Sequence, residues 1–426
     1  MPTKVAVIGA GAAGICVLRH ALASEGVFEA TAFEKSNKLG GTWVYTDKTE
    51  TDENGLSIHS SMYKNLRTNI PKEVMNFPGF PFKTDLPSFL SHENVAEYLE
   101  DYVDHYGLRD HIQFETVVDS VRPSPESVGS GKVKWEVTYH KVGQPSSAQT
   151  NVYDGIFVCS GHYSDPLMPK MKGLENFEGK ILHSHNYRSP EEFRDLRVVI
   201  LGAAASGQDI CVDMSPEAKR IYLSHNKTPL STAIPDNVEQ VDGIVEVYKD
   251  SVRLSNGQEI ECDAILFCTG YLYNFNFLEP ECGVKIEESR IVPLYKHLVH
   301  TTYPTMFFIG MCKTICPFPQ FDAQIQFSLK VLDGRLVLPS KLEMDEETET
   351  DYKTRLERGL PHRHAHLMGP RQWEYNSQLT TMAGLEPISP NVQLLYEHVH
   401  AIRVKQLTTY KRLNFRLTGP DTFEQY

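Results

Sequence analysis

At 426 residues, 41% hydrophobic and 23% charged, the chain is too long for one small domain and too ordinary in composition for disorder, collagen or a disulfide scaffold. Forty-two Lys and Arg against 55 Asp and Glu give a formal net charge of -13, the opposite of a nucleic-acid-binding or anionic-membrane-binding footprint. The longest apolar stretch, residues 4–18, is cut by glycines and falls short of a membrane span, so a soluble chain is expected.

Residues 4–8 read as a buried strand, followed by the glycine-rich run 9–14 and an apolar helical pattern to Leu22; residues 31–34 read as the next strand, a βαβ start. The polar, turn-rich residues 47–60 read as an excursion loop, 93–105 carry helical periodicity, and 112–121 return as a strand. Residues 132–139 alternate as an edge strand, 143–147 make its turn, and 153–160 form a third buried strand before Pro166, Pro169 and Gly173 mark a linker. The pattern then restarts with strand 197–201, a glycine-flanked turn at 202–207, helix 208–214 and strand 220–224, and a strand at 264–270 closes it. A strand at 305–311 and a helix over 322–332 return the chain to the first lobe, and a tail of helical patterns carries the acidic stretch 343–351.

Two glycine turns organise this pattern. In Gly9-Ala10-Gly11-Ala12-Ala13-Gly14 the first glycine permits the tight turn, the second admits a pyrophosphate and the third lets helix pack on strand. The phosphates then sit at the helix N-terminus, where free N–H groups and the dipole favour anions. Glu34, beside Lys35 and twenty residues past Gly14, is placed to accept both hydroxyls of an adenosine ribose. Its charge repels a 2′-phosphate, so FAD or NAD fits here and NADP does not. A second glycine turn, Gly40-Gly41-Thr42-Trp43, suits a close pass under a flavin ring. The later turn, Gly202-Ala203-Ala204-Ala205-Ser206-Gly207, is degenerate, with Ala204 at the middle position. Ser224, His225, Asn226 and Lys227 follow its next strand and offer polar and cationic groups to a 2′-phosphate, which assigns NADPH to this unit. Two such sites in one chain imply hydride passing from nicotinamide to flavin.

The fold expected is α/β, with two Rossmann-like dinucleotide-binding domains and the NADPH domain inserted in the FAD domain: residues 1–170 and 272–426 form the FAD domain, and residues 171–271 the insert. The eight cysteines show no Cys-x-x-Cys pair and read as buried thiols, with neither zinc knuckle nor redox dithiol. His362, His364 and His366 alternate at a spacing that suits no tetrahedral site, so no metal is expected. Ser206 has no His–Asp constellation beside it and supports no hydrolase. The acidic run is read as a solvated helix face. A strand that begins at Lys4 leaves no room for a visible leader, which points to the cytoplasm; a secreted chain whose signal had been removed reads the same.

Between the two nucleotide units, Phe177-x-Gly179-x-x-x-His183-x-x-x-Tyr187 resembles the fingerprint of flavin-containing monooxygenases. Thr68-Asn69, Cys159-Ser-Gly-His162, Cys268-Thr-Gly-Tyr271, Phe321-Asp-Ala-Gln324 and Phe415-Arg-Leu-Thr-Gly-Pro420 resemble segments of the same family, so the likeness spans nearly the whole chain. It is similar to the short soluble insect group, some of whose members N-oxygenate pyrrolizidine alkaloids such as senecionine. The resemblance implies that Glu34, Gly41, Thr42, Trp43, Thr68 and Gln324 attend FAD with the first glycine loop, and that Val118 lies by the adenine. It implies NADPH contacts from Ser206, Gly207, Gln208 and Asp209, joined by Ser224, His225 and Lys227 at the 2′-phosphate; the family's usual Arg near His225 is missing. Asn69 is the implied catalytic residue at the flavin, while His183 and Tyr187 orient the interdomain linker. The implied reaction is NADPH- and O2-dependent N- or S-oxygenation of a soft nucleophile, such as a tertiary amine or a sulfide, through a C4a-hydroperoxyflavin shielded from water. The N-terminus of the helix near Asp322 is placed to stabilise the reduced flavin. A Baeyer–Villiger monooxygenase, whose fingerprint ends in Trp where this chain has Tyr187, and a non-catalytic flavin/NADPH sensor stay open as alternatives. A homo-oligomer is compatible with the sequence.

Overall fold

The computed structural model describes residues 1–127, 129 and 132–426. Strand Thr3–Ile8, buried from Val5 onward, lies in the interior of a seven-stranded sheet, because a run such as Val-Ala-Val-Ile must be covered on both faces. Phe28–Phe33 and Gly155–Val158 flank it in parallel, Ile112–Gln113 and Met306–Phe308 lie outside these, and Val299–His300 and Leu294–Tyr295 finish one edge antiparallel. A second, wholly parallel five-stranded sheet runs Val238–Val241, Arg220–Ser224, Arg197–Leu201, Ala264–Phe267, Lys180–His183. All strands of the second sheet fall between the first sheet's Gly155–Val158 and Leu294–Tyr295, so the second unit is an insertion into the first. The two crossings run together: Asp165–Pro166 pairs antiparallel with Tyr271–Leu272, and the Thr269 hydroxyl donates to the Leu167 carbonyl at 2.6 Å. A short paired ribbon gives the insertion a defined attachment.

Helix Ala12–Leu22 packs on helix Pro317–Leu332 through a hydrogen-bonded seam, with His20 Nε2 at 2.6 Å from Asp322 Oδ1 and the Cys16 thiol beside the same oxygen. This corrects the expected helix start: the helix begins five residues before Asp322, capped by Cys316, so Asp322 lies inside it and its N-terminal end is at Pro317. Two prolines in the first turn, Pro317 and Pro319, hid this start, although proline is well tolerated where no intrahelical N–H bond is needed. Phe318 is core, stacked on Phe77 at 4.6 Å.

The expected strand 112–121 is two. Glu115 adopts φ 52, and the chain breaks there from the main sheet into Thr116–Pro123, the first strand of a separate antiparallel sheet. Trp135–Lys141 is the middle strand of that sheet, and the edge is the exposed Gln144–Tyr153, where residues 143–147 were expected to turn. The acidic stretch lies in helix Lys341–Glu357, which opens with a Ser340/Glu343 capping box. All eight cysteines are buried, free thiols. Among the described residues no helix is long and apolar enough to cross a membrane.

Candidate active site

In both sheets the glycine turns lie at the carboxyl ends of parallel strands, the edge where open α/β sheets bind ligands. Gly9 adopts φ 103, and a Cβ there would lie 2.7 Å from the Cys159 carbonyl oxygen; one on Gly14 would lie 1.9 Å from the Gly9 oxygen. Strand, turn and helix thus meet too closely for any side chain. Gly11 faces Gly41 across the turn Gly41–Trp43, with a hypothetical Gly41 Cβ 3.2 Å from Gly11 Cα, so the two glycine turns form opposing bare-backbone walls. Ala12 and Ala13 open the helix behind this cradle and are buried. A pyrophosphate fits such a cradle, with helix N–H groups at its base.

The buried Glu34 carboxylate accepts from Ala10 N at 3.0 Å and Ser36 N at 2.9 Å, which fixes it at the rim of the first turn. Thr116 N donates to the Glu34 carbonyl at 2.9 Å, bringing the strand that carries Val118 alongside. Lys35 donates to the Ser57 carbonyl at 3.0 Å, and burial lowers its pKa. The Thr42 carbonyl accepts from the Ser60 hydroxyl at 2.7 Å, pinning the excursion loop to the second glycine turn, and Trp43 packs, partly buried, on the main core. Glu34, Gly11, Gly41, Thr42 and Trp43 are therefore brought to one place.

Asn69 sits in a segment fixed on both sides. Arg67 donates twice to the Phe89 carbonyl, at 3.1 and 2.8 Å, and Thr68 N donates to the Leu90 carbonyl at 2.8 Å while its hydroxyl accepts from Leu90 N at 3.0 Å. Thr68 is thus committed to the loop, whereas Asn69 is half-buried and its amide has no hydrogen-bond partner among the described residues. Gln324 is fully buried, its Oε1 accepts from Gly310 N at 3.0 Å and its Nε2 donates to the Tyr375 hydroxyl at 2.8 Å, so it braces the Gly310 turn.

The second turn repeats the first. Gly202 adopts φ 110 with a Cβ position 2.5 Å from the Cys268 oxygen, and a Gly207 Cβ would lie 1.8 Å from the Gly202 oxygen. Helix Ala205–Met214 starts three residues earlier than its sequence pattern suggests, with Ser206 exposed in its first turn. Three of the assigned contacts are redirected. Ser224 is fully buried and donates to the Asp242 carbonyl at 2.8 Å. Asp209 accepts from Lys411 Nζ at 2.5 Å and the Tyr63 hydroxyl at 3.3 Å. Gln208 spans the Ala203 carbonyl at 2.9 Å and Arg403 at 3.1 Å. His225 accepts from Lys227 N at 3.2 Å and approaches Gln240 Oε1 at 3.2 Å, and Asn226 Oδ1 accepts from Gly243 N at 3.1 Å, leaving the exposed Lys227 at the strand end.

Sequence reasoning missed the lining between the units. His59 and His162 sit near the strand end at Cys159, where a Gly161 Cβ would lie 3.1 Å from His59 Nε2; His183 and His185 come from the insertion and pack edge-on against Tyr271 at 5.2 and 5.9 Å. Desolvation pushes His59 down to about 4, His162 to about 3 and His183 to about 4. Ser160 Oγ, His162 Nε2, His183 Nε2 and His185 Nδ1 are buried without a hydrogen-bond partner among the described residues. The available signal was His162 and His183 inside the quoted motifs; His59 and His185 carried none. The fingerprint itself is structural. A Gly179 Cβ would lie 2.4 Å from the Asp263 carbonyl and 2.6 Å from the Phe177 ring, and Tyr187 is fully buried with its hydroxyl donating to Asp213 at 2.7 Å. His362 and His366 go separate ways, to Tyr352 and to the Ile291 N–H with His297, so these histidines do not converge.

Two dinucleotide cradles, orphaned polar atoms between them and a free amide on a pinned loop define an oxidoreductase that pairs a flavin with a nicotinamide coenzyme. Comparison with known proteins sharpens this. Residues 2–232 and 229–425 match the family described as flavin-binding monooxygenase-like, and the chain belongs to that family. It is 38% identical over 399 residues to flavin-containing monooxygenase FMO GS-OX-like 4 of Arabidopsis thaliana, covering 89% of this chain and 87% of the relative. Among solved structures, S-allyl-L-cysteine S-oxygenase from Allium sativum superposes with a TM-score of 0.88 at 35% identity, covering 96% of this chain and 95% of that one. Tmm from Pelagibacter sp. does so with a TM-score of 0.86 at 27% identity, over 99% and 96%. Cyclohexanone monooxygenase shares the fold at 15% identity and a TM-score of 0.65. The protein is a flavin-dependent monooxygenase that uses FAD and NADPH.

Proposed function

We propose that this enzyme transfers one atom of O2 to a soft nucleophile, the sulfur of a thioether or the nitrogen of a tertiary amine, with NADPH as the electron source. Bound FAD, once reduced by NADPH, supplies the oxygen activation; one oxygen atom enters the product and the other leaves as water. The chain's own residues bind, orient and exclude water. Gly9, Gly11, Gly14 and Gly41 cradle the FAD pyrophosphate, Glu34 holds its ribose, and Trp43 packs near the ring. Gly207 and Ser206 receive the NADPH pyrophosphate, and Lys227 is the cation for its 2′-phosphate, with Ser224 holding the strand end from within.

The observation that carries this reading is the Asn69 amide, unpartnered on a loop otherwise locked by Arg67 and Thr68. A neutral amide on a pinned loop, in a chain whose histidines at 59 and 162 are held uncharged by burial, suits a reaction that needs hydrogen bonds and dryness and no strong acid or base. The likeness to S-allyl-L-cysteine S-oxygenase favours a thioether as first substrate, and a pyrrolizidine alkaloid such as senecionine is the tertiary amine to set against it.

The test is product formed per NADPH consumed by the purified holoenzyme, with an S-alkyl cysteine, trimethylamine, senecionine and cyclohexanone in parallel. Sulfoxide or N-oxide in near one-to-one ratio with NADPH is expected. Lactone from cyclohexanone as the main product would move the protein to Baeyer–Villiger chemistry, and hydrogen peroxide in place of every product would make it an oxidase or a sensor.

A further inference from the structure

The face of helix Ala205–Met214 that turns toward the first unit carries two aspartates four residues apart, Asp209 and Asp213, hence side by side. Each receives donors from outside its own helix. Asp213 takes the Tyr187 hydroxyl at 2.7 Å and Asn65 Nδ2 at 3.1 Å; Asp209 takes the Tyr63 hydroxyl at 3.3 Å and the Lys411 ammonium at 2.5 Å. Tyr63 and Asn65 belong to the segment that ends at Asn69. Lys411 belongs to neither, since it comes from the C-terminal segment, and its ammonium also donates to the Arg67 carbonyl at 2.9 Å, two residues before Asn69. One cation therefore joins the Asn69 loop, the nucleotide helix and the chain's last helical region.

The pair is well shielded, with side-chain exposures of 19% for Lys411 and 17% for Asp209, so solvent screens it less than a surface ion pair. The same C-terminal segment makes two further ties to the insertion, Arg403 to Gln208 at 3.1 Å and Leu407 N to the Thr232 hydroxyl at 3.0 Å. Those two reach only the second unit. Lys411 reaches both units, through Asp209 and the Arg67 carbonyl.

We infer that Lys411 is a positioning residue, which through Asp209 and the Arg67 carbonyl holds the nucleotide helix in register with the Asn69 loop, so that the nicotinamide reaches the flavin at transfer distance. Hydride transfer depends steeply on approach, and a displacement of the order of an ångström is enough to cost a large factor in rate without loss of binding. The inference rests on the placement of Asn69 at the flavin face. The measurement below stops at flavin reduction and needs no oxygenated product, so failure of the oxygenation reading leaves it standing.

The variants are K411M, which keeps the stem and removes the charge, K411R, which restores a cation, and D209N. Amide hydrogen exchange across residues 63–70 is measured on the FAD-bound protein without NADPH, and anaerobic stopped-flow reduction by NADPH gives a limiting rate and an apparent Kd. K411M and D209N are expected to speed exchange in that segment and to lower the limiting rate about tenfold with Kd changed less than about threefold, and K411R to recover most of the rate. A change confined to Kd would make Lys411 a direct nucleotide contact and overturn the inference. Unchanged exchange and rate at full flavin occupancy would reduce the pair to an incidental contact. Should K411M fail to retain FAD, D209N and K411R carry the same expectations and the same power to refute.

Discussion

The two nucleotide turns are built alike and closed differently. The prohibited Cβ positions coincide in kind: Gly9 against Cys159 O at 2.7 Å and Gly14 against Gly9 O at 1.9 Å, Gly202 against Cys268 O at 2.5 Å and Gly207 against Gly202 O at 1.8 Å. Even the middle residues share a backbone conformation, Gly11 at φ -74 and ψ -172, Ala204 at φ -84 and ψ -166, so neither needs glycine for its dihedrals. What differs is the opposite wall. Gly11 looks at Gly41, whereas a side chain is already accommodated at the exposed Ala204. The first cradle is a slot between two turns with a buried carboxylate at its rim. The second is open on one side, with a lysine in solvent. A slot suits a cofactor that stays, and an open turn suits a coenzyme that must arrive and leave each cycle.

The sharpest way to break this comparison is to fill the equivalent third glycines. Gly14→Ala forces a clash with backbone that cannot yield, costing on the order of 3 kcal/mol, and is expected to abolish FAD retention, read as flavin absorbance per protein. Gly207→Ala creates the same clash in the insertion and is expected to leave flavin bound while anaerobic reduction by NADPH is lost. If Gly207→Ala also expels the flavin, the units are not independent.

Acid tests the lining between them. The unfolded histidine titrates near 6.5, while burial holds folded His59 and His183 at about 4 and His162 at about 3. The unfolded state therefore binds more protons below pH 6.5, and stability falls as pH drops through that value, levelling off only beneath the folded pKa values. On the order of 2 kcal/mol per histidine is expected by pH 5, visible as a lower Tm than at pH 7.5. A flat Tm across that range would mean that these rings are already charged or solvated.

Glu34→Gln keeps the side-chain size, removes the charge and sets an amide NH2 against one of the two backbone N–H groups that the carboxylate accepts. About tenfold weaker FAD retention is expected, with NADPH KM unmoved, since the carboxylate belongs to the first rim alone. The smallest effects separate two neighbours. Lys227→Ala is expected to raise the NADPH KM several-fold, about 1 kcal/mol, and leave NADH use unchanged. Ser224→Ala removes a buried bond to the Asp242 carbonyl and is expected to lower stability by about 1 kcal/mol with no effect on coenzyme preference.

Lys227 and Ser224 show why sequence reads such sites unevenly. Strand order and side-chain alternation put both at the end of strand Arg220–Ser224, but only packing against the Asp242 turn decides that the serine points inward. Asp209 is similar: its place in the first turns of the nucleotide helix is local, while its partner lies at position 411, reached only when the C-terminal segment folds back. His59 and His185 had no motif at all, because nothing near them in the chain announces that two loops from different units meet.

Local chemistry fixed what depends on short range. Gly9, Gly11, Gly14 and Glu34, with the second glycine pair and the spacing from Phe177 to Tyr187, dictate two βαβ turns, the acidic rim and the order of insertion, because steric exclusion at a backbone contact and the period of a buried strand act within some twenty residues. Tertiary structure alone decided which polar groups remain free. Gln324, Ser224 and Asp209 were consumed by Gly310, Asp242 and Lys411, and Asn69 was left unpaired, because a hydrogen bond is a contest among all donors and acceptors that the fold brings within 3 Å, most of them far apart in the chain.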